Sequence, residues 1–230
     1  MTAAEIDWTE AAEARLLDAA IQRAPTLGWN GRMLTRAAAD AGLSAGEAML
    51  VAPGGARDLA ALLSRRHDAR ALAALAGENP AGLKVRMRIR RSVEARMDAA
   101  FADEAALGRW AGFLALPPNA PLAARLVWET ADRLWRWAGD VATDENHYSK
   151  RAILAGVLAS TLAVRLREGR AASLDHLDRQ IDHVMAFESW KARLKPADLA
   201  TTLASALGRR RYNRSSSSAV AAKPRSAGDP

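Results

Sequence analysis

Four histidines, His67, His147, His176 and His183, are the residues that metal or acid–base chemistry would use first. None stands in an H-x-x-x-H or E-x-x-H spacing, so neither a zinc hydrolase helix nor a di-iron bundle is encoded. His176 and His183 are seven apart, with Arg179 nearby, and read as a solvated helical face. Ser149 and Ser160 lie in no nucleophile motif, and no G-x-S-x-G exists. Cysteine is absent, which removes disulfides, thiolate nucleophiles and Cys-based zinc sites together. Asp144 and Glu145 fall in the first turn of an expected helix, where carboxylates favour the positive helix end for structural reasons. The sequence therefore predicts no catalytic residues, no metal and no cofactor, and a protein that is not an enzyme.

The remaining chemistry is that of charge and apolar surface. Net charge is +7 and the pI about 10.5, a balance found in proteins that meet nucleic acid or anionic membrane. The basic residues gather at 84–91 and from 191 to the C-terminus. The run "KVRMRIRRSVEAR" sets Val85, Ile89 and Val93 against Lys84, Arg88 and Arg91 and reads chiefly as a solvated face. The stretch "TDENHYSKR" at 143–151 runs directly into "AILAGVLASTLAV" at 152–164, a polar head on an apolar body. That body is shorter than a ~20-residue span and ends at Arg165, so no transmembrane segment is expected. The first residues carry four acidic groups in thirteen and no apolar run, which predicts neither a secretory signal nor a transit peptide.

The elements that must position these residues are helices. Ala, Leu, Arg and Glu dominate, and no strand pattern appears. About nine helices are expected: 10–24 capped by Thr9, 32–41, 45–51, 56–76, 83–100 or beyond, 122–138, 144–167 capped by Thr143, 174–191 capped by Ser173, and one more near the C-terminus, with a further turn or helix around 103–116. A last helix at 197–210 would be amphipathic, and the tail from 213 is small, polar and aperiodic. In 122–138 the spacing puts Ala124, Val127, Trp128, Ala131, Leu134, Trp135 and Ala138 on one buried face. Glu129–Arg133 and Asp132–Arg136 would pair on the other. The body 152–164 is apolar all round and is expected at the centre of a bundle. Its small residues admit either close packing or a cavity lined by Leu154, Leu158 and Leu162, with Trp128 and Trp135 as further walls by helical phase.

Residues 41–63, "AGLSAGEAMLVAPGGARDLAALL", are similar to the helix-turn-helix of TetR-type regulators. The third helix nevertheless offers Ala45, Gly46, Glu47, Ala48, Met49, Leu50 and Val51, without the Arg, Lys, Asn or Gln that base edges require. No nucleic-acid partner is expected. Further on, "LPPNAP", "AGD" followed by "TD-N-Y-KR", and "LDRQIDHVMAFE" resemble the Coq-nine family of ubiquinone-biosynthesis accessory proteins, over about residues 12–193. The resemblance implies an all-α, TetR-like bundle with a degenerate helix-turn-helix at 1–55, a lipid-binding domain at 56–193, an amphipathic helix at 194–212 and a disordered tail at 213–230. It implies a homodimer that binds isoprenoid lipid or phospholipid and presents a polyprenyl quinone intermediate to a di-iron-type hydroxylase. Carried over by position, the partner patch is Asp132, Asp144, Asn146, His147, Tyr148, Lys150 and Arg151, with His147 where the family usually has Trp. Membrane contact falls to Leu199, Leu203, Leu207, Arg209, Arg210 and Arg211, an apolar stripe with basic residues beyond it. The place expected is peripheral, on the inner face of a bacterial plasma membrane. The alternative is a TetR-type regulator with an apolar-ligand pocket.

Overall fold

The computed structural model describes residues 3–141 and 145–193, with side chains described over 8–141 and 147–186. All regular elements among them are helical: α1 (Ala3–Leu27), α2 (Gly31–Asp40), α3 (Ala45–Val51), α4 (Ala56–Ala74), α5 (Val85–Phe101), α6 (Glu104–Leu114), α7 (Ala120–Trp137) and α8 (Glu145–Arg193). Single 3-10 turns at Pro80–Gly82 and Pro117–Asn119 lead into α5 and α7. By its internal contacts the chain divides into two units, Met1–Ile181 and Asp182–Pro230. In the second, Asp182 to Arg193 are helical.

The helix starts follow local chemistry. The Asn30 side chain accepts from the Met33 N–H at 3.0 Å and opens α2. Ser44 and Glu47 form a reciprocal capping box on α3, at 3.2 Å and 2.8 Å. Such a cap contributes on the order of 1 kcal/mol. It also gives Glu47 a structural role: its carboxylate holds the Ser44 N–H. The turn between α2 and α3 passes through Gly42 at φ +67°, a left-handed conformation that a side chain would strain.

Two expected boundaries move. α1 begins before Thr9, which is an interior residue and not a cap. The two expected helices 144–167 and 174–191 are a single run, α8, interrupted at one residue, Gly169 (φ 86°, ψ −173°). Gly169 divides it into a first arm, residues 145–168, and a second arm that resumes at once. Ser173 caps nothing: its hydroxyl donates back to the Arg170 carbonyl at 2.7 Å.

Two apolar clusters fill the first unit. One gathers α1, α2, α3, α4 and α6 around Leu16, Met33, Leu59, Leu63 and Leu107, all fully buried. The other joins α5, α7 and both arms of α8 through Val93, Leu134, Leu154, Leu158 and Leu177. α4 and α5 carry a buried polar layer: Ser64, His67, Asp68, Ser92 and Arg96. The stripe of α7 differs from the expected one. It runs Leu122, Leu126, Thr130, Ala131, Leu134, Ala138, while Ala124 is exposed and Trp128 and Trp135 are half-buried. The helix rotates because the Thr130 hydroxyl donates to Asp68 on α4 at 2.9 Å and Arg133 bonds the same carboxylate.

The first arm of α8 is not enclosed on all sides either. Ala152, Gly156, Ala159 and Ala163 lie on an exposed face, and Leu154, Val157 and Leu158 on the buried one. Small side chains gain little from burial, about 25 cal/mol per Å² of apolar surface, so leaving them outside costs little.

Candidate functional site

Two places in the first unit combine side chains in a way the packing alone does not require. They lie at opposite ends of the first arm of α8.

The first is the N-terminal end, where Arg151 is the largest fully buried side chain of the described residues, 2% exposed. Its Nε donates to Asp132 at 2.6 Å and an Nη to Asp140 at 3.0 Å, and it also reaches the His147 carbonyl at 3.1 Å. Lys150 adds a bond to Asp140 at 2.6 Å and lies over the Trp135 ring, 5.4 Å from its centroid. Trp135 in turn donates its indole N–H to the Lys150 carbonyl at 3.0 Å. Burial pushes the Asp140 carboxyl upward, but the hydrogen bonds and charges of Lys150 and Arg151 outweigh it and hold the group below the usual carboxylate range. The result is a clamp that fastens the start of α8 to the end of α7. Outside the clamp, Tyr148 is 63% exposed and stacks on Trp128, ring centroids 6.2 Å apart, with the His147 ring edge-on to Tyr148 at 5.2 Å.

This geometry rearranges the expected partner patch. Arg151 is not on the surface: two carboxylates hold it inside. Asp132 and Lys150 are partly covered by the same clamp, Asp132 also by Arg136 at 2.8 Å. The outward feature is an aromatic one: exposed Tyr148, flanked by half-buried Trp128 and His147. Trp128 was expected as a cavity wall and stands here instead. Asp144 and the side chain of Asn146 lie outside the described residues, as does the proposed cap Thr143. So do Leu199, Leu203, Leu207, Arg209, Arg210 and Arg211.

The second place is a groove of about 640 Å³ between α6, α7 and the far end of the same arm of α8. This is the size range of ligand cavities. Leu114, Leu126, Val127, Leu158, Leu162 and Leu166 make its apolar walls. Its rim on α6 is Gly108, Ala111 and Gly112; a side chain built at either glycine would meet nothing within 4 Å. Its floor carries the polar edge formed by Ser64, Arg96 and Thr130. Of the five residues expected to line a cavity, Leu158 and Leu162 do so. Leu154 is buried in the second cluster, Trp135 belongs to the clamp, and Trp128 to the aromatic face.

Sequence reasoning anticipated an element at 103–116 but missed its part in the groove, and it missed the polar floor. The signal on α6 was present in "LGRWAGFLA": Gly108, Ala111, Gly112 and Ala115 follow one another at helical spacing and leave one side of the helix without bulk. The floor had no such signal, because Ser64, Arg96 and Thr130 come from three separate helices.

Several other charged side chains are engaged within the fold. Arg88 donates to the carbonyls of Leu83 and Ala138 at 2.8 Å each, Arg90 pairs with Asp178 and Glu94, and Arg91 with Glu78. The 84–91 run thus serves α5 and its neighbours. Glu129 pairs with Arg125, at 3.8 Å, and not with Arg133, which turns to Asp68. His176 is half-buried and 3.0 Å from the Ser160 hydroxyl, not solvated. Among the described residues no three His, Asp or Glu are placed to hold a metal ion, and no helix is long and apolar enough to cross a membrane.

Comparison with known proteins bears on the same region. Residues 120–188, which hold α7, both ends of the arm and most of the second arm, match the model of the COQ9 family. "Ubiquinone biosynthesis protein COQ9-B, mitochondrial" of Xenopus laevis is 28% identical over 170 residues, 69% of this chain and 56% of that protein. "Ubiquinone biosynthesis protein COQ9, mitochondrial" of Bos taurus is 29% identical over 161 residues, 67% of this chain and 50% of that protein. The Rattus norvegicus protein of the same name is 28% identical over 181 residues, 74% of this chain and 58% of that protein. The chain spans little more than half the length of the relatives it matches. The expected place on a bacterial plasma membrane is overturned, since these relatives are named as mitochondrial proteins. The resemblance read in the sequence holds: through α7 and α8 this chain resembles the COQ9 family.

Proposed function

We propose that this protein is a non-catalytic accessory protein of ubiquinone biosynthesis that holds a polyprenyl quinone intermediate in the α6–α7–α8 groove. The observation that carries this reading is the groove itself: a space of about 640 Å³ with apolar walls, open at a rim of glycine and alanine on α6, whose α7 and α8 walls fall within the residues that match COQ9. Relatives that carry the words ubiquinone biosynthesis in their names supply the pathway. An apolar tail in such a groove would leave water at about 25 cal/mol per Å². A ring hydroxylase of the di-iron type would dock on the aromatic face of Trp128, His147 and Tyr148, where the exposed Tyr148 ring, backed by two half-buried ones, offers an aromatic contact of the kind partner surfaces favour. Contact with a membrane through Leu199, Leu203, Leu207, Arg209, Arg210 and Arg211, lipid phosphates included, and assembly as a homodimer complete the proposal.

The regulator reading is the weaker one. Met49 and Leu50, the side chains that α3 would present to a DNA groove, are 69% and 75% exposed and apolar, and Glu47 is engaged as a cap. The test is extraction. The protein is incubated with vesicles that contain a long-chain prenylated quinone, separated from them by gel filtration, and its quinone content measured. Near-equimolar quinone supports the reading; a quinone-free protein that instead retards a random DNA duplex reverses it.

A further inference from the structure

The polar corner of the groove has a charge imbalance. Ser64 of α4, Arg96 of α5 and Thr130 of α7 meet there, each 5% exposed or less. Behind them one oxygen of Asp68 accepts from Arg96 Nε at 2.6 Å and from the Thr130 hydroxyl at 2.9 Å. Its other oxygen accepts from Arg133. One carboxylate thus faces two guanidinium groups. Arg133 is 35% exposed and solvated, whereas the Arg96 side chain is 6% exposed and has no other carboxylate partner. Neighbouring His67 adds positive charge only if protonated, and burial followed by the Arg96 charge lowers its pKa to about 4, so at neutral pH it is uncharged.

The lining of the groove sharpens the imbalance. Among the described residues its charged side chains are Arg96 on the floor and Arg167 at the rim, and none is a carboxylate. Arg96 also reaches the Ser64 hydroxyl, but at 3.5 Å, the outer limit of hydrogen bonding. A bond that long yields readily to a shorter ionic one. A buried cation whose counter-charge is shared is costly and favours any ligand that brings an anion to it.

We propose that this corner is the head site of the groove, and that it takes an amphiphile with an anionic oxygen head, a carboxylate or phenolate, set against Arg96 and Ser64 with the tail along α6 and α8. This rests on the reading that the groove holds a lipid tail, and it adds the direction in which that lipid lies and the chemistry of its head. A cationic head finds no partner there, and a neutral alcohol forgoes the ionic bond.

The test is displacement of the fluorescent apolar probe N-phenyl-1-naphthylamine from the full chain by three ligands of equal tail length, kept below their micellar ranges: palmitate, hexadecanol and hexadecyltrimethylammonium. Palmitate is expected to displace at about tenfold lower concentration than hexadecanol, and the ammonium ligand to be weakest. Arg96→Met is expected to erase the preference for palmitate, and Arg167→Met to keep it. Equal displacement by palmitate and hexadecanol on the unaltered protein overturns the proposal whether or not Arg96→Met folds, and so does a preference that vanishes with Arg167→Met instead. Gly112→Phe separates the two levels. If it leaves probe and ligands bound, the groove is not the site and the underlying reading falls. If it abolishes binding while palmitate and hexadecanol tie on the unaltered protein, only the head assignment falls.

Discussion

Arg151 and Arg96 are both buried arginines, and their surroundings differ in one respect. Arg151 is divided between two carboxylates, Asp132 and Asp140. Arg96 shares a single carboxylate with Arg133 and faces an open groove. A buried ion pair holds a fold together when its members are matched, because removal of either partner strands the other. A buried ion left partly unmatched beside empty space is suited to a ligand. The first site is a clamp, and the second is the head site we propose.

The largest effect should come from breaking the clamp. Arg151→Met removes the buried partner that Asp132 and Asp140 share, leaving them Arg136 and Lys150, and is expected to destabilise the protein by about 3 kcal/mol, read as a fall in urea midpoint. The same variant should flatten the acid limb. The Asp140 carboxyl is held low in the folded protein, so its stabilisation is present above the unfolded value near 3.9 and is lost as pH falls through the lower folded value. Denaturation midpoints between pH 5 and pH 3 should therefore drop in the unaltered protein more than in Arg151→Met.

A second effect belongs to the polar layer behind Arg96. His67 is fully buried, and its pKa falls from 6.5 to about 4 through burial and the charge of Arg96, against the pull of Asp103. As pH falls below 6.5 the unfolded chain takes a proton that the folded one refuses, so stability declines from pH 6.5 to about 4, by roughly 3 kcal/mol. His67→Gln should remove that slope, as urea denaturation at pH 7, 6 and 5 would reveal.

Filling the groove should act in the opposite sense. Gly112→Leu places a side chain in open space on a helix, removes glycine's entropic cost, and is expected to raise stability by about 0.5–1 kcal/mol while it lowers lipid binding. Thermal melts and ligand titration on the same sample separate the two. A change in stability of the same size, but of opposite sign, is predicted for Tyr148→Ala. It loses one partly exposed stack on Trp128, about 0.5–1 kcal/mol, and weakens hydroxylase docking, read by calorimetric titration.

The helical architecture was legible because the apolar spacing is regular and Gly and Pro mark the breaks, as at Gly42, Asn79–Pro80 and Pro117. The break around Gly169 was legible as a gap between helices 144–167 and 174–191, but its reduction to one residue was not, because a glycine at positive φ can redirect a helix without any loop of polar residues. The same limit applied to α7. Its periodicity fixed a stripe, but the phase was decided by Thr130 and Arg133, polar residues that bond to Asp68, sixty-two positions or more away in the chain. Arg151 reads as a surface residue in a run of charges, and only the fold brings Asp132 and Asp140 around it. The groove was half legible: Leu158 and Leu162 follow from an apolar helix, whereas α6 contributes by what its glycines leave out.

The central claim is that the α6–α7–α8 groove holds a lipid. The most direct measurement is lipid mass spectrometry on protein purified under native conditions, compared with Gly112→Phe purified identically. A long-chain lipid is predicted to be bound near one per chain in the unaltered protein and strongly depleted in the variant. Equal lipid in both, or none in the unaltered protein, would contradict it.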